Sequence, residues 1–196
     1  MGSATMTKEQ DRTAWQKIAR RMRVPLGFVV AAIFLVFAHP SGRTLAWSVL
    51  LVVPGLWLRG YAAGYVKKNA ELTRTGPYAY TRNPLYLGSM GIAFGFAIAT
   101  GQLWLGLLLA VLFLAIYVPT ILSEEAFLRG AFASFEEYAR RVPRLLPRLT
   151  AARFGDADTG NGRFSAERYR HHHEYNALMG AVAIYAALAL RMLLKH

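Results

Sequence analysis

Residues 76–88 combine a predicted helix start, a fixed positive charge and three aromatic rings, in the order Gly-Pro-Tyr-Ala-Tyr-Thr-Arg-Asn-Pro-Leu-Tyr-Leu-Gly. Asn83 followed by Pro84 predicts an N-cap residue with proline at the first helical position. Backbone N–H groups at such a helix start bind anions, and Arg82 adds a positive charge beside them. The segment therefore predicts a site for an anionic group.

Three tyrosines in the same segment, Tyr78, Tyr80 and Tyr86, offer ring faces to a nucleobase or to a cation. Tyrosine is also enriched where membrane helices meet water. An interfacial aromatic belt beside a capped helix is therefore the alternative interpretation of these rings.

A second polar cluster, Glu124 and Glu125, follows directly on a long apolar segment. Carboxylates at the C-terminal end of a helix are disfavoured by the helix dipole. We therefore expect compensation by Arg82, by Arg129 or by a bound cationic ligand. The alternative is that both carboxylates are solvated just past the helix end.

Residues 135–147 begin as a short amphipathic helix that ends before Pro143. It is predicted to lie on the membrane surface and to direct its apolar side chains inward. A surface anchor without further function is the alternative. The inward-facing side chains would be those of Phe127, Leu128, Phe132, Phe135 and Tyr138.

The elements that must position these clusters are apolar helices. No Asp, Glu, Lys or Arg occurs from Pro84 to Leu122, a length that two membrane-spanning helices can hide. Apolar segments lie at 24–38, 45–66, 84–100, 103–122 and 177–194, and tight turns at 39–42 and 100–102 join them into two hairpins. We predict an all-α polytopic membrane bundle with about five transmembrane helices and a C-terminal amphipathic helix on the cytoplasmic face. Two Gly-x-x-x-Gly pairs, Gly60/Gly64 and Gly91/Gly95, predict close helix packing.

Composition supports a membrane protein: 55% of the 196 residues are hydrophobic and 17% are charged. The net charge of +12 is better explained by basic cytoplasmic loops than by nucleic acid as a partner. There are no cysteines, which excludes disulfide and thiolate chemistry. With the N-terminus in the cytoplasm, Arg43, Arg191 and Lys195 are the only basic residues outside, as the positive-inside rule favours. The C-terminus is then outside if the last segment spans fully, whereas Arg191 within it allows a re-entrant or surface helix.

The whole chain is predicted to be one membrane domain. It would comprise a basic cytoplasmic tail (1–23), a core carrying both clusters (24–150), a polar linker (151–175) and a last transmembrane helix (176–196). Two metal-site patterns are discounted. Three adjacent histidines at 171–173 cannot all face one ion on a helix, and residues 156–167 lack the glycine and ligand positions of a calcium loop.

Taken together, the two clusters resemble the isoprenylcysteine carboxyl methyltransferase and phospholipid methyltransferase superfamily of integral membrane enzymes. The first motif of that superfamily is matched by Gly76 to Gly88. The second is matched by Glu124-Glu125 and then by Tyr138, Val142 and Pro143. The resemblance covers residues 45–149, about half of the chain.

This resemblance implies S-adenosylmethionine as cofactor, bound at the cytoplasmic face. The helix start from Asn83 through Pro84, Tyr86 and Leu87 to Gly88 would hold the methionine carboxylate, while Glu124 and Glu125 would meet the ammonium or ribose groups. The adenine would be walled by Tyr78, Tyr80, Tyr138, Val142 and Pro143. Arg82, Glu124 and Glu125 are the predicted catalytic residues, and Arg82 would orient an anionic substrate group.

One position departs from the superfamily pattern, because many members have histidine where this chain has Asn83. An asparagine side chain can cap a helix, but unlike histidine it cannot take up or release a proton. For an amine acceptor, Glu124 or Glu125 is then the candidate base, unless the acceptor arrives deprotonated.

The expected acceptor is a lipid or prenylated substrate that enters laterally from the bilayer. A phospholipid amine, a prenylcysteine carboxylate and a small hydrophobic molecule all remain open. The alternative functions are a membrane reductase that uses NADPH on a related scaffold and a non-enzymatic membrane protein.

Overall fold

The computed structural model describes residue 29 and residues 32–66, 71–155, 162–171 and 174–194. The predicted basic tail 1–23 and most of the first apolar segment lie outside these residues. Helix α1 is described over 32–37. It is followed by α2 (Gly42–Tyr65), a 3₁₀ turn (Gly76–Ala79), α3 (Pro84–Ala99), α4 (Leu103–Ala131), α5 (Phe135–Arg141), α6 (Ala166–His171) and α7 (Tyr175–Leu194).

Within the described ranges every regular element is helical, which confirms the predicted all-α membrane bundle. Three helices, α2, α4 and α7, are long and apolar enough to cross a membrane. Helix α3 is also apolar but has 16 residues. At 1.5 Å per residue it is about 24 Å long, somewhat less than the roughly 30 Å hydrocarbon core.

Helix α2 begins at a capping box, in which the backbone N–H of Thr44 donates to Ser41 Oγ and that of Ser41 donates to Thr44 Oγ1. Helix α3 begins at Pro84, as predicted. Helix α4 begins after a turn whose Gly101 has φ +69°. Thr100 in this turn accepts a 2.8 Å hydrogen bond from the backbone of His39, so both hairpin turns meet at one end of the bundle.

Helix α4 extends to Ala131 instead of ending near residue 122. The alternative, in which both carboxylates are solvated just past the helix end, is therefore wrong, because Glu124 and Glu125 lie within the helix and Glu125 is buried. The apolar pattern shows where the lipid-facing stretch ends, whereas the helix continues into the polar region through its own hydrogen bonds.

Glycines allow α2 and α3 to pack closely. A Cβ on Gly55 would lie 2.8 Å from the carbonyl oxygen of Gly88, and one on Gly95 would lie 2.6 Å from a Val52 methyl. Gly91 of the predicted pair also faces α2. Gly60 and Gly64 instead receive the rings of Tyr169 and Phe164, which lie in the polar segment before α7.

The described part of the predicted polar linker, 162–171, packs against α2. The carbonyl of Gly64 accepts hydrogen bonds from the backbone of Ser165 and from Arg168 Nε, and Phe164 stacks on Tyr61. Glycine at position 64 leaves the space that this contact needs.

Helix α7 runs along α2 and is held by a polar contact at each end and one in the middle. Glu174, just before the helix, pairs with Arg59. Tyr185 shares a 2.8 Å hydrogen bond with Ser48, and Arg191 donates to the carbonyl oxygen of Ala38 at 2.8 Å. Arg191 therefore binds the C-terminal carbonyls of the first helix, and α7 extends over the full height of the bundle.

Helix α5 corrects one expectation. Phe135 and Tyr138 are buried in a small core with Val142, Leu128 and Phe154. Full burial of each large apolar side chain contributes about 1.5–3 kcal/mol. These side chains therefore pack against protein and do not lie on the membrane surface.

Candidate functional site

The α3–α4 hairpin brings the two predicted clusters together. The Tyr86 hydroxyl donates to Glu124 Oε2 at 3.1 Å. Arg82 Nη1 lies 3.2 Å from Glu125 Oε1. Residues 82–86 and 124–125 therefore meet at the end of the bundle opposite the turn at Gly101.

Backbone hydrogen bonds join the first cluster to the segment after α5. The N–H of Arg82 donates to the carbonyl of Pro143 at 2.9 Å, and the N–H of Arg148 donates to that of Tyr80 at 3.0 Å. The buried hydroxyl of Thr81 donates to the carbonyl of Leu145. The two motifs thus form one structural unit.

Asn83 occupies the N-cap position, but its side chain does not cap the helix. Its Nδ2 donates instead to the carbonyl of Arg144 at 2.8 Å. The capping role predicted for this side chain is therefore wrong. Pro84 has no N–H, and the N–H of Leu87 donates to the carbonyl of Asn83, which is the first hydrogen bond within the helix.

Glu125 is buried and forms ion pairs with two arginines. Arg144 donates from Nε and Nη2 at 3.0–3.1 Å, and Arg82 approaches from the other side. The hydrogen bond to Glu125 raises the pKa of Arg144 above its ordinary value. Arg82 is one of the predicted compensating groups, whereas Arg129, the other, pairs with Glu136.

Tyr78 and Tyr138 form a buried pair beside this network. The Tyr138 hydroxyl donates to the backbone carbonyl of Tyr78 at 2.8 Å. Burial is the main cause that raises the pKa of both phenols well above the ordinary value. Both phenols therefore stay neutral in the physiological pH range.

A cavity of about 330 Å³ opens at this meeting point. Seven of the residues predicted from the sequence line it: Tyr78, Arg82, Asn83, Pro84, Tyr86, Glu124 and Tyr138. Its volume falls in the range typical of small-molecule sites, about 300–1,000 Å³.

The other predicted residues lie around the cavity without lining it. Tyr80 is partly exposed, and Val142 is buried in the core beneath α5. Gly88 packs against Arg59 and Gly55 of α2. The remaining three, Leu87, Glu125 and Pro143, contact the lining residues from behind.

Several lining residues were not predicted from the sequence. Arg59 comes from α2, Glu174 from the segment before α7, and Glu71, Leu72 and Thr73 from the loop after α2. Arg59 could have been found, because a charged residue within an apolar segment marks a functional position by default. Glu174 directly follows the three adjacent histidines, and no local sequence pattern pairs it with Arg59. Among the described residues no group of three His, Cys, Asp or Glu side chains could hold a metal ion.

Comparison with known proteins supports the predicted resemblance. The chain is 35% identical over 142 residues to the cobalt-zinc-cadmium resistance protein CzcN of Cupriavidus metallidurans, covering 67% of this chain and 64% of that protein. It is 36% identical over 104 residues to the nickel-cobalt-cadmium resistance protein NccN of Alcaligenes xylosoxydans xylosoxydans, covering 53% and 48%. It is 27% identical over 140 residues to a protein-S-isoprenylcysteine O-methyltransferase of Schizosaccharomyces pombe, covering 68% and 59%.

The chain thus spans about half to two thirds of the length of these relatives. No solved structure matches it significantly. Residues 43–134 match the sequence model of the family described as phospholipid methyltransferase. This segment contains α2 to α4 and every cavity residue contributed by those three helices. The chain is therefore an integral membrane protein whose residues 43–134 match the phospholipid methyltransferase family and which is similar to an isoprenylcysteine methyltransferase, in agreement with the resemblance of its two motifs.

Proposed function

We propose that this protein is an S-adenosylmethionine-dependent methyltransferase that acts on a lipid or another membrane-embedded acceptor at the cytoplasmic face. The observation that carries the proposal is the cavity at the end of the α3–α4 hairpin, which eight residues of the two superfamily motifs line together. Similarity of sequence alone would not require the two motifs to meet at one cavity.

The residues present fit the cofactor. The start of α3 at Pro84 suits a carboxylate, because the first backbone N–H groups of a helix bind anions. Arg82 Nε, beside them, is buried and lacks a hydrogen-bond partner among the described residues. A buried donor without a partner costs about 1–3 kcal/mol, and a carboxylate at this point would satisfy it.

The opposite charge has a place at Glu124. This carboxylate accepts a hydrogen bond from Tyr86 and has no ion pair within the described parts of the chain. It can therefore stabilise a cationic group, while the rings of Tyr78 and Tyr138 supply flat walls nearby. The sulfonium of the bound cofactor would supply the methyl group.

The protein contribution to methyl transfer would be positioning and exclusion of water. Arg82 and the start of α3 would fix one end of the cofactor. Glu124 would accept a proton from an amine acceptor, as neutral Asn83 cannot. Glu125, which has no place in the cavity lining, would act as a positioning residue by holding Arg82 through their ion pair.

The two metal-resistance relatives do not lead us to propose a metal site. Their names describe those proteins, and the described residues offer no group of three ligands for an ion. The family described as phospholipid methyltransferase and the isoprenylcysteine relative both favour an acceptor carried by a hydrocarbon chain.

Labelled methyl transfer tests this function. Purified protein incubated with methyl-labelled S-adenosylmethionine and a total lipid extract should place label in the lipid fraction, and S-adenosylhomocysteine should inhibit the transfer. The same assay is run with added prenylcysteine as the acceptor. If protein-dependent label appears neither in the lipid fraction nor in the prenylcysteine, the proposed function is wrong.

Glu124→Gln tests the assignment of the carboxylate. We expect the affinity for S-adenosylhomocysteine to fall at least about tenfold, since hydrogen bonds to charged groups contribute about 1.5–3 kcal/mol. The fold should be retained, because Glu124 is exposed and contacts a hydroxyl. The matched control is Glu136→Gln, whose partner Arg129 is outside the cavity lining. Unchanged affinity in Glu124→Gln would remove Glu124 from the site.

A further inference from the structure

The cavity has a second arginine that neither superfamily motif contains. Arg59 of α2 and Glu174, just before α7, both line it. They form a side-on bidentate ion pair, in which Arg59 Nε and Nη2 donate to the two carboxylate oxygens of Glu174 at 3.0 Å. This pair joins two candidate membrane spans at the level of the cavity.

The hydrogen bonds of Arg59 leave part of its guanidinium uncommitted. An arginine carries five N–H donors in a fixed planar fork. Glu174 takes two of them and Ser89 Oγ takes a third, from Nη1. Among the described residues no partner accounts for the remaining two. A planar guanidinium that is already held along one edge is well suited to bind an oxyanion with its other donors.

Arg59 lies apart from the part of the cavity that we propose for the cofactor carboxylate. Arg82 and the start of α3 lie at the first turn of that helix. Arg59 instead lies beside its second turn, with Gly88 against its stem and Ser89 bonded to Nη1. A methyltransferase needs a second binding region next to its cofactor, and Arg59 with Glu174 forms a charged wall of the cavity that the motifs do not supply.

The surroundings of the pair also suit a ligand with a hydrocarbon chain. Arg59 lies near the end of a helix that can cross the membrane, and Glu174 directly precedes another. Leu178, one turn beyond Glu174, is 50% exposed. An anion bound by Arg59 would thus lie at the depth of lipid head groups, with apolar side chains of the bundle below it.

Resting on the proposed function, we propose that Arg59 is the specificity-determining residue of the acceptor site. Held in place by Glu174, it binds an oxyanion carried on the lipid-like methyl acceptor. The oxyanion is the phosphate of a phospholipid or the carboxylate of an isoprenylcysteine, and the two sources are separate arms of the test. The C-terminal segment, outside the matched family region, is then part of the substrate site through Glu174.

Paired soluble probes test this proposal by direct binding to the full-length protein in detergent with saturating S-adenosylhomocysteine. One arm compares short-chain phosphatidylethanolamine with the matching diacylglycerol, which lacks the phosphate. The other compares N-acetyl-S-farnesylcysteine with its carboxamide. In one arm, the wild-type protein should bind the oxyanion probe at least about tenfold more tightly than its uncharged match.

The double variant Arg59→Gln/Glu174→Gln should abolish this preference without leaving a buried charge unpaired. Arg59→Lys keeps the charge but loses the planar fork, and it should reduce the preference. This variant provides the test if the double variant does not fold. The affinity for S-adenosylhomocysteine, measured alone, should stay within about twofold, so failure of the cofactor proposal is visible separately. Tyr185→Phe is the matched control, because it weakens the attachment of α7 far from the cavity.

Three outcomes would overturn the proposal. The first is a wild-type protein with no preference for the oxyanion in either arm. The second is a preference that survives in both Arg59 variants. The third is an equal loss of preference in Tyr185→Phe, which would reduce the Arg59–Glu174 pair to an attachment point for α7.

Discussion

Charged side chains around the cavity are held in place by partners from distant parts of the chain. Arg82 pairs with Glu125 of α4, and Arg59 pairs with Glu174, which is 115 residues away in sequence. In the first pair Arg82 lines the cavity and Glu125 restrains it, whereas both members of the second pair line the cavity. Ligand groups would therefore meet side chains whose orientation is already fixed, which lowers the entropic cost of binding.

Glu125→Gln tests the restraining role of the buried pair. The side chain of Arg82 is 11% exposed, and the substitution removes its counter-charge. Loss of one partner of a buried pair costs about 3–5 kcal/mol, so the thermal unfolding temperature in detergent should fall by several degrees. Glu137→Gln breaks a pair with Arg141 in which both side chains are about half exposed, and it should change stability by less than about 1 kcal/mol. Equal effects of the two substitutions would contradict the assignment.

Sequence reasoning at this scale succeeded where the chemistry is local. The helix start at Pro84 follows from the proline itself, and compensation of Glu125 by Arg82 follows from the unfavourable position of a carboxylate beside an apolar helix. It failed for the Asn83 side chain, because the carbonyl of Arg144 competes for it. It also missed the Arg59–Glu174 pair, because no local signal connects residues so far apart.

Helices in this bundle are positioned by close backbone contact as well as by side chains. Without a hydrophobic driving force between helices inside a bilayer, close packing and polar contacts determine which helices associate. Helices α2 and α3 use Gly55, Gly88 and Gly95 for this contact, and α7 uses three polar contacts.

Gly55→Ala tests the close approach of α2 and α3. A Cβ at this position would lie 2.8 Å from the carbonyl oxygen of Gly88 and 2.9 Å from a side-chain carbon of Ile92. The helices must separate, at a cost of about 1–3 kcal/mol, and the cavity at their end should bind S-adenosylhomocysteine more weakly. Gly180→Ala in α7 meets nothing within 4 Å and should be neutral or slightly stabilising. Unchanged stability and binding in Gly55→Ala would show that these two helices do not pack as described.

At the scale of elements, the apolar pattern predicted the positions of α2, α3, α4 and α7 because the bilayer requires long uncharged helices. It did not predict that α4 continues to Ala131, since the end of an apolar stretch does not mark the end of a helix. It also placed Phe135 and Tyr138 on the membrane surface. An amphipathic face looks the same whether lipid or protein covers it.

The whole molecule places the cavity at one end of the bundle and the two hairpin turns at the other. The distribution of basic residues predicts that the cavity end faces the cytoplasm. Arg191 and the carbonyl of Ala38 lie at the opposite end, so the C-terminus would be outside.

Single-cysteine labelling tests this orientation, because the chain has no cysteine of its own. Arg43 is exposed beside the hairpin turns, and Leu149 is fully exposed near the cavity. A membrane-impermeant maleimide added to intact cells should label Arg43→Cys and leave Leu149→Cys unmodified, and inverted vesicles should give the opposite pattern. Labelling of Leu149→Cys from outside intact cells would reverse the predicted topology.

Titration of the purified protein with S-adenosylhomocysteine and, separately, with NADPH is the most direct test of the proposed cofactor. We expect saturable binding of one S-adenosylhomocysteine per chain and no binding of NADPH, because the proposed carboxylate site at the start of α3 and the acidic side chain of Glu124 suit the zwitterionic amino-acid end of that ligand. Binding of NADPH without binding of S-adenosylhomocysteine would contradict the account and favour a reductase on this scaffold.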